Sequence, residues 1–250
     1  MLNWSCAGEM LRIQGTGDAC VAWTVADPAT EAFMAETSKR GPIADLRDLT
    51  RLIQRSPGVP EVLAALKNRR SATLDGAWGS AGPLAAAAIG LHAPNCLVVV
   101  LAHVGDVDDF RDDLATFGGT TPETIPAWDR SPREAAAAGA RAATDEVFGR
   151  RLRAIRRLRG DLPPRLVVTS LQALMQPVPT PSDLDAASRT IRVGDDVPVE
   201  QLTAWLSDRG LNRAEVVEVP GEFCVRGGIL DVFPPDASEP VRIEFCGDEV

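Results

Sequence analysis

Histidine, lysine and paired cysteines are nearly missing from this 250-residue chain, and their scarcity removes several classes of function. The only histidines are His92 and His103, and the five cysteines (Cys6, Cys20, Cys96, Cys224, Cys246) stand apart, with no C-x-x-C pair. A zinc site is therefore not expected. Scattered cysteines in odd number suit a reducing cytoplasm. The longest apolar runs, near residues 84–91 and 96–104, are too short to cross a bilayer. MLNWSCAGEMLR at the amino terminus lacks a long apolar core and carries Glu9 and Arg12 early, so it is not read as a signal peptide. The net charge of −9 offers no overall basic balance with which to grip nucleic acid.

What is present fits one or two globular domains: 45% of the residues are hydrophobic and 24% charged. Residues 1–33 are unlike the rest of the chain, and Met34 is an alternative start. Residues 42–70 read as two short amphipathic helices split by SPGVP. Helix 84–91 comes after a glycine loop. CLVVVLA (96–102) has the signature of a strand buried on both faces of a parallel sheet. In DVDDFRDDLATFG, Val107, Phe110, Leu114 and Phe117 fall at helical spacing. Thr124–Pro126 is a short strand, 140–159 a helix, RLVVT (165–169) a strand and SLQALM a short helix. This alternation predicts an open α/β layer. The prolines of PVPTPSD (177–183) end it. Beyond them, TIRVG, EVVEV, EFCVRG, GILDVFPP and PVRIEFCG read as strands around helix VEQLTAWLSDRG, giving an α+β module. PVRIEFCGDEV stops inside a strand-like pattern, as a piece of a longer protein would.

Four features carry possible chemistry. GAWGSAGPL (76–84) has the outline of a phosphate-binding loop, which requires G-x-x-x-x-G-K-[ST]. Here Gly82 stands at the Lys position and Pro83 at the Ser/Thr position, so the charge and the Mg²⁺-binding hydroxyl are both missing. Gly76, Gly79, Ser80, Gly82 and Pro83 are thus read as a turn that has lost nucleotide chemistry, and no cofactor is expected. The 141–159 segment carries Arg141, Arg150, Arg151, Arg153, Arg156, Arg157 and Arg159. It is either a phosphate-backbone patch or, the preferred reading, a solvated helix with cations near its C-terminal end. Asp106, Asp108, Asp109, Asp112 and Asp113 are placed on a solvent face opposite Phe110 and Leu114. Ser80 lacks a G-x-S-x-G context, so no catalytic constellation emerges. In 220–250, Arg226 and Arg242 lie on strand-like segments near Phe223, Phe233 and Phe245. They are either anchors for carboxylates of a protein partner or surface arginines paired with Glu222, Asp231 or Glu244.

EFCVRGGILDVFPP and then PVRIEFCGDEV closely resemble the N-terminal, UvrB-like part of bacterial transcription-repair coupling factors. IPAWDRSPRE and VVTSLQALMQPVPTP, upstream and in the right order, are similar to further segments of that family. The resemblance covers roughly residues 70–250. It implies a degenerate P-loop NTPase-like parallel sheet over 34–187, then a UvrA-docking α+β module from 188 to 250, truncated at its end. UvrB has a working P-loop and a tyrosine-rich hairpin that clamps DNA; this chain has a decayed loop and no tyrosine. The expected role is recruitment of UvrA for transcription-coupled excision repair. DNA and RNA polymerase would be met only through regions absent from this chain. The alternatives are a UvrB-type ATP-binding subunit and a basic-helix DNA binder. Family contacts carry over to Arg226 and Arg242, with Arg213 ahead of them and Glu244 and Phe245 beside Arg242. The sequence departs from the family pattern at Arg133, Pro177, Cys224 and Cys246.

Overall fold

In the computed structural model, residues 12–13, 45–93, 96–129 and 145–250 are described. The predicted leader 1–33, apart from residues 12–13, lies outside them, as do Arg133, Arg141 and the first residues of the predicted 140–159 helix. The described residues fall into two compact units. One holds 12–13, 45–93, 96–99, 105–122 and 165–167; the other holds 100–104, 123–129, 145–164 and 168–250.

In the first unit, β1 (Arg12–Ile13) pairs in parallel with β2 (Thr73–Leu74). Helices α1 (Arg47–Ile53) and α2 (Val59–Lys67) flank the predicted SPGVP break, and Pro60 sits in the first turn of α2, where a missing N–H costs nothing. Helix α3 (Ala81–Gly90) is alanine-rich and buried from Ala85 to Gly90. Small side chains let it lie close to α1 and to α4 (Val107–Gly118). Thr50 of α1 donates from Oγ1 to the Phe117 carbonyl of α4 at 2.9 Å. Along α4, Val107 and Leu114 face inward, while Asp108 and Asp112 point to solvent and bond Arg111.

A three-stranded parallel sheet has the order β3 (Leu97–Leu101), β5 (Leu166–Ser170), β4 (Glu123–Ile125). The central strand β5 is buried throughout. CLVVVLA, expected to be buried on both faces, forms β3, which lies at one edge of this sheet among the described residues, and Val98 and Val100 are 44% and 38% exposed. An unbroken valine run marks a strand but does not say which strand will lie at its side. β2, just before the glycine loop, is not part of this sheet. Among the described residues a mixed α/β arrangement with a parallel sheet is present, and the strand that leads into the glycine loop pairs with β1 instead of joining that sheet.

In the second unit, α5 (Glu146–Arg159) starts at an N-cap, Asp145, whose Oδ1 accepts from the Phe148 N–H at 2.8 Å. Ser170 caps α6 (Leu171–Met175), and Thr180 with Asp183 forms a capping box at α7 (Pro181–Ala186). Beyond these, α8 (Val199–Asp208) packs against a sheet of order β6 (Asn212–Arg213), β7 (Glu222–Arg226), β8 (Ile229–Phe233), β9 (Val241–Glu244). β6 runs parallel to β7, and β7–β8–β9 is an antiparallel meander. Leu202 and Leu206, one helical turn apart, meet Phe223, Leu230 and Val232 in one core. Burying each such side chain contributes roughly 2 kcal/mol.

Two predicted strands are absent. In TIRVG, the Arg192 N–H turns to Asp195 Oδ2 at 2.7 Å. In EVVEV, Glu222 Oε2 accepts from the Glu218 and Val219 N–H groups at 2.9 and 3.1 Å. Side-chain carboxylates have taken backbone donors that a ladder would need.

Candidate functional site

Alternation along the meander sorts its side chains onto two faces. Phe223, Leu230, Val232 and Ile243 point to the core. Cys224, Asp231 and Arg242 lie level across three strands on the outer face, and Arg226, Ile229 and Glu244 form the next row. The two-residue turn Gly227-Gly228 sets this register. Gly227 has φ +60°, and a Cβ on Gly228 would fall 2.7 Å from the Phe245 carbonyl. The close approach lets the Phe245 N–H donate to the Gly228 carbonyl at 2.7 Å.

An open depression of about 360 Å³ lies on this face. Arg226, Arg242, Asp231 and Glu215 are its charged residues and Val216, Val217 and Pro240 its apolar rim; Cys224 and Val241 complete its lining, Val241 from a position level with the core-facing Val232. Arg242 donates from Nε to Asp231 Oδ1 at 2.7 Å and from Nη2 to Oδ2 at 2.8 Å. The Arg242 hydrogen bonds hold the Asp231 carboxyl below its usual pKa, with Arg242 and Arg226 adding through space, and the Arg242 pKa is raised in turn. A carboxyl lowered in the fold keeps its pair at neutral pH; the pair is lost only as pH falls through that lowered value. Arg226 donates from Nη2 to the Glu215 carbonyl, which also accepts from the Cys224 thiol at 3.1 Å. Arg226 makes no ion pair among the described residues.

Of the expected site residues, Arg226, Arg242 and Glu244 share the outer face. Phe245 does not: it is half-buried against the core cluster. Arg213 is exposed and level with Phe223, on the other side of the sheet from Arg242. Asp231 was visible in sequence only as one of three possible partners. The contributions of Glu215, Val216 and Val217 were hidden, because they come from a loop that reads as a strand.

Two of the three other sequence features, the glycine loop and the basic helix, are packed against the protein itself. In the glycine loop, Gly82 and Pro83 are buried in the first turn of α3, and a Cβ at Gly82 would lie 3.5 Å from the Phe110 ring. A side chain at the Lys position would thus meet packed protein. In α5 every arginine of the described helix has an internal partner. Arg150 bonds Thr124, Arg157 bonds Glu123 and Arg159 bonds Asp185. Arg151, 1% exposed, donates to the carbonyls of Pro126 at 2.6 Å and Ala173 at 3.3 Å and to Gln176 Oε1 at 3.3 Å. Its guanidinium lies 4.3 Å over the Trp128 ring, and burial lowers its pKa. Gln176 in turn brackets Trp128, accepting from its N–H and donating to its carbonyl, both at 2.8 Å. Arg153 bonds the carbonyls of Asp236 and Ala237, and Arg156 bonds the Asp236 carboxylate. Beside this clamp, a Cβ on Gly149 would fall 2.1 Å from the Pro235 carbonyl.

Residues 190–250, the small α+β module with Arg226 and Arg242 on one sheet face, match the family of the UvrB interaction domain. Over 222 residues the chain is 36% identical to a transcription-repair coupling factor of Mycobacterium tuberculosis (strain CDC 1551 / Oshkosh), covering 84% of this chain and 16% of that protein. It is 37% identical over 109 residues to the coupling factor of Bacillus subtilis (strain 168), covering 43% and 9% of the two chains. With that of Staphylococcus aureus (strain USA300) it shares 46% over 61 residues, 24% and 5% of the two. The chain belongs to the transcription-repair coupling factor family and corresponds to its N-terminal region. It spans about 16% of the length of the mycobacterial relative.

No helix among the described residues is long and apolar enough to cross a membrane.

Proposed function

We propose that the chain recruits UvrA to initiate transcription-coupled excision repair, using the outer face of the β7–β9 meander. The observation that carries this reading is the convergence of Arg226 and Arg242 on one open depression with an apolar rim, inside the span that matches the UvrB interaction domain. Guanidinium groups in such a setting bind partner carboxylates through charge-assisted hydrogen bonds, with the apolar rim excluding water around them. Arg226, Arg242 and Glu244 form the contact set on that face. Phe245 supports it from beneath, and Arg213 lies outside it. Residues 34–187 act as a decayed P-loop layer that carries the 188–250 module and performs no nucleotide chemistry. The basic helix is not favoured as a DNA grip, because its arginines in the described residues are bonded within the protein.

The test is a binding titration of the chain with UvrA, without nucleotide, beside an Arg226→Glu/Arg242→Glu variant. The two substitutions give up the pair with Asp231 and the bond to the Glu215 carbonyl, so the variant's fold is checked by circular dichroism and melting before its affinity is read. Its affinity should fall by at least about a hundredfold, as expected when charged contacts are reversed. A folded variant that binds as tightly as the parent would refute the assignment.

A further inference from the structure

The guanidinium of Arg242 has two faces to offer a carboxylate: the side-on pair Nε/Nη2 and the end-on pair Nη1/Nη2. Asp231 occupies the side-on pair completely, one oxygen to each nitrogen. Nη1 makes no hydrogen bond among the described residues, and the Arg242 side chain is 61% exposed. Asp231 is itself fixed, since it lies on the central strand of the meander with Cys224 level on one side and Arg242 on the other. Its side chain is only 27% exposed. The carboxylate therefore restrains a long, flexible side chain through two bonds and leaves Nη1 without a bond among the described residues.

We infer that Asp231 is a positioning residue, which presents the end-on fork of Arg242 to a carboxylate of the partner protein. The inference rests on the reading that this face docks UvrA, and it names what the face accepts: an acidic side chain flanked by an aliphatic one. Among the residues that line the depression, Arg226 and Arg242 are balanced by Asp231 and Glu215, so an incoming carboxylate is drawn by the guanidinium N–H groups left over and not by a net charge. Val216 and Val217 on the rim take the aliphatic neighbour.

This role has the opposite sign to simple electrostatics. An acidic residue beside a site for acids should repel its ligand, so its removal should tighten binding. A positioning residue does the reverse, because without Asp231 the partner must restrict a free guanidinium by itself. The experiment is calorimetric titration of the 250-residue chain with UvrA, for the parent, Asp231→Asn, Asp231→Glu, Arg242→Ala and the Asp231→Asn/Arg242→Ala pair. Asp231→Asn should weaken binding about tenfold, and Asp231→Glu should recover part of that. In the Arg242→Ala background, Asp231→Asn should cost nothing more. Each change to Asp231 or Arg242 breaks a largely exposed pair, so the melting temperature should drop by no more than a few degrees and every variant should still melt in one transition, which separates positioning from folding. Equal or tighter binding by Asp231→Asn, or a full additional loss in the Arg242→Ala background, would overturn the inference while leaving recruitment intact. Undiminished binding by Arg226→Glu/Arg242→Glu would remove both.

Discussion

The arginines of helix α5 and those of the meander are the same residue put to opposite uses. On α5 they reach carbonyl and carboxylate oxygens of their own chain: Pro126 and Ala173 for Arg151, Asp236 and Ala237 for Arg153, Glu123 for Arg157. On the meander, Arg226 has one backbone bond and Arg242 one carboxylate, and both remain exposed. A cluster of positive residues is thus a poor guide to a binding surface. What counts is how many N–H groups remain after the fold has taken its share.

The sharpest way to break this contrast is Arg151→Ala. It should lower stability by about 3 kcal/mol, because buried carbonyls lose their donor and the Trp128 ring loses its cover. Arg151→Lys should recover little, since one ammonium cannot reproduce the fork. Chemical denaturation measures both, and a loss near zero for Arg151→Ala would mean that the helix cations are not structural. Next comes Gly149→Ala. The added methyl meets the Pro235 carbonyl, so a cost of about 2 kcal/mol is expected, opposite in sign to the gain of about 1 kcal/mol that Gly→Ala brings at an exposed helix position. An unchanged melting point would show that α5 and the β8–β9 connection are not held at this distance. The smallest effect belongs to Arg157→Ala. Its pair with Glu123 is exposed on the arginine side but only 12% exposed on the glutamate side, so its removal should lower stability by about 1 kcal/mol, more than a fully exposed pair would cost. The same variant should bind duplex DNA no differently from the parent in an anisotropy titration. A steep loss there would return the helix to nucleic acid.

The meander was legible because its signals are local. Alternation in EFCVR and ILDVF, joined by Gly227-Gly228, fixes strands, turn and register within twelve residues. Helices α1, α2, α4 and α8 announced themselves by apolar spacing for the same reason. The failures share a different cause. Whether β3 is central or at an edge depends on β5, some seventy residues later in the chain. EVVEV has the composition of a strand, and what prevents one is the Glu222 carboxylate on the next strand. The arginines of α5 could not be apportioned between solvent and protein, since the partners of Arg153 and Arg156 lie eighty or more residues away. At the site, the two arginines could be named from sequence. The side-on pair with Asp231 could not be chosen over Glu222 or Glu244, because the long connection from Phe233 to Val241 leaves the register of β9 open.

The bare α-carbon of Gly149 has a consequence on the timescale of descent. As long as the Pro235 carbonyl keeps its place, position 149 cannot acquire a side chain, and as long as 149 stays bare, Pro235 has no reason to move. Two positions eighty-six residues apart are thereby bound into one inherited choice, and lineages that alter one should be found to have altered the other.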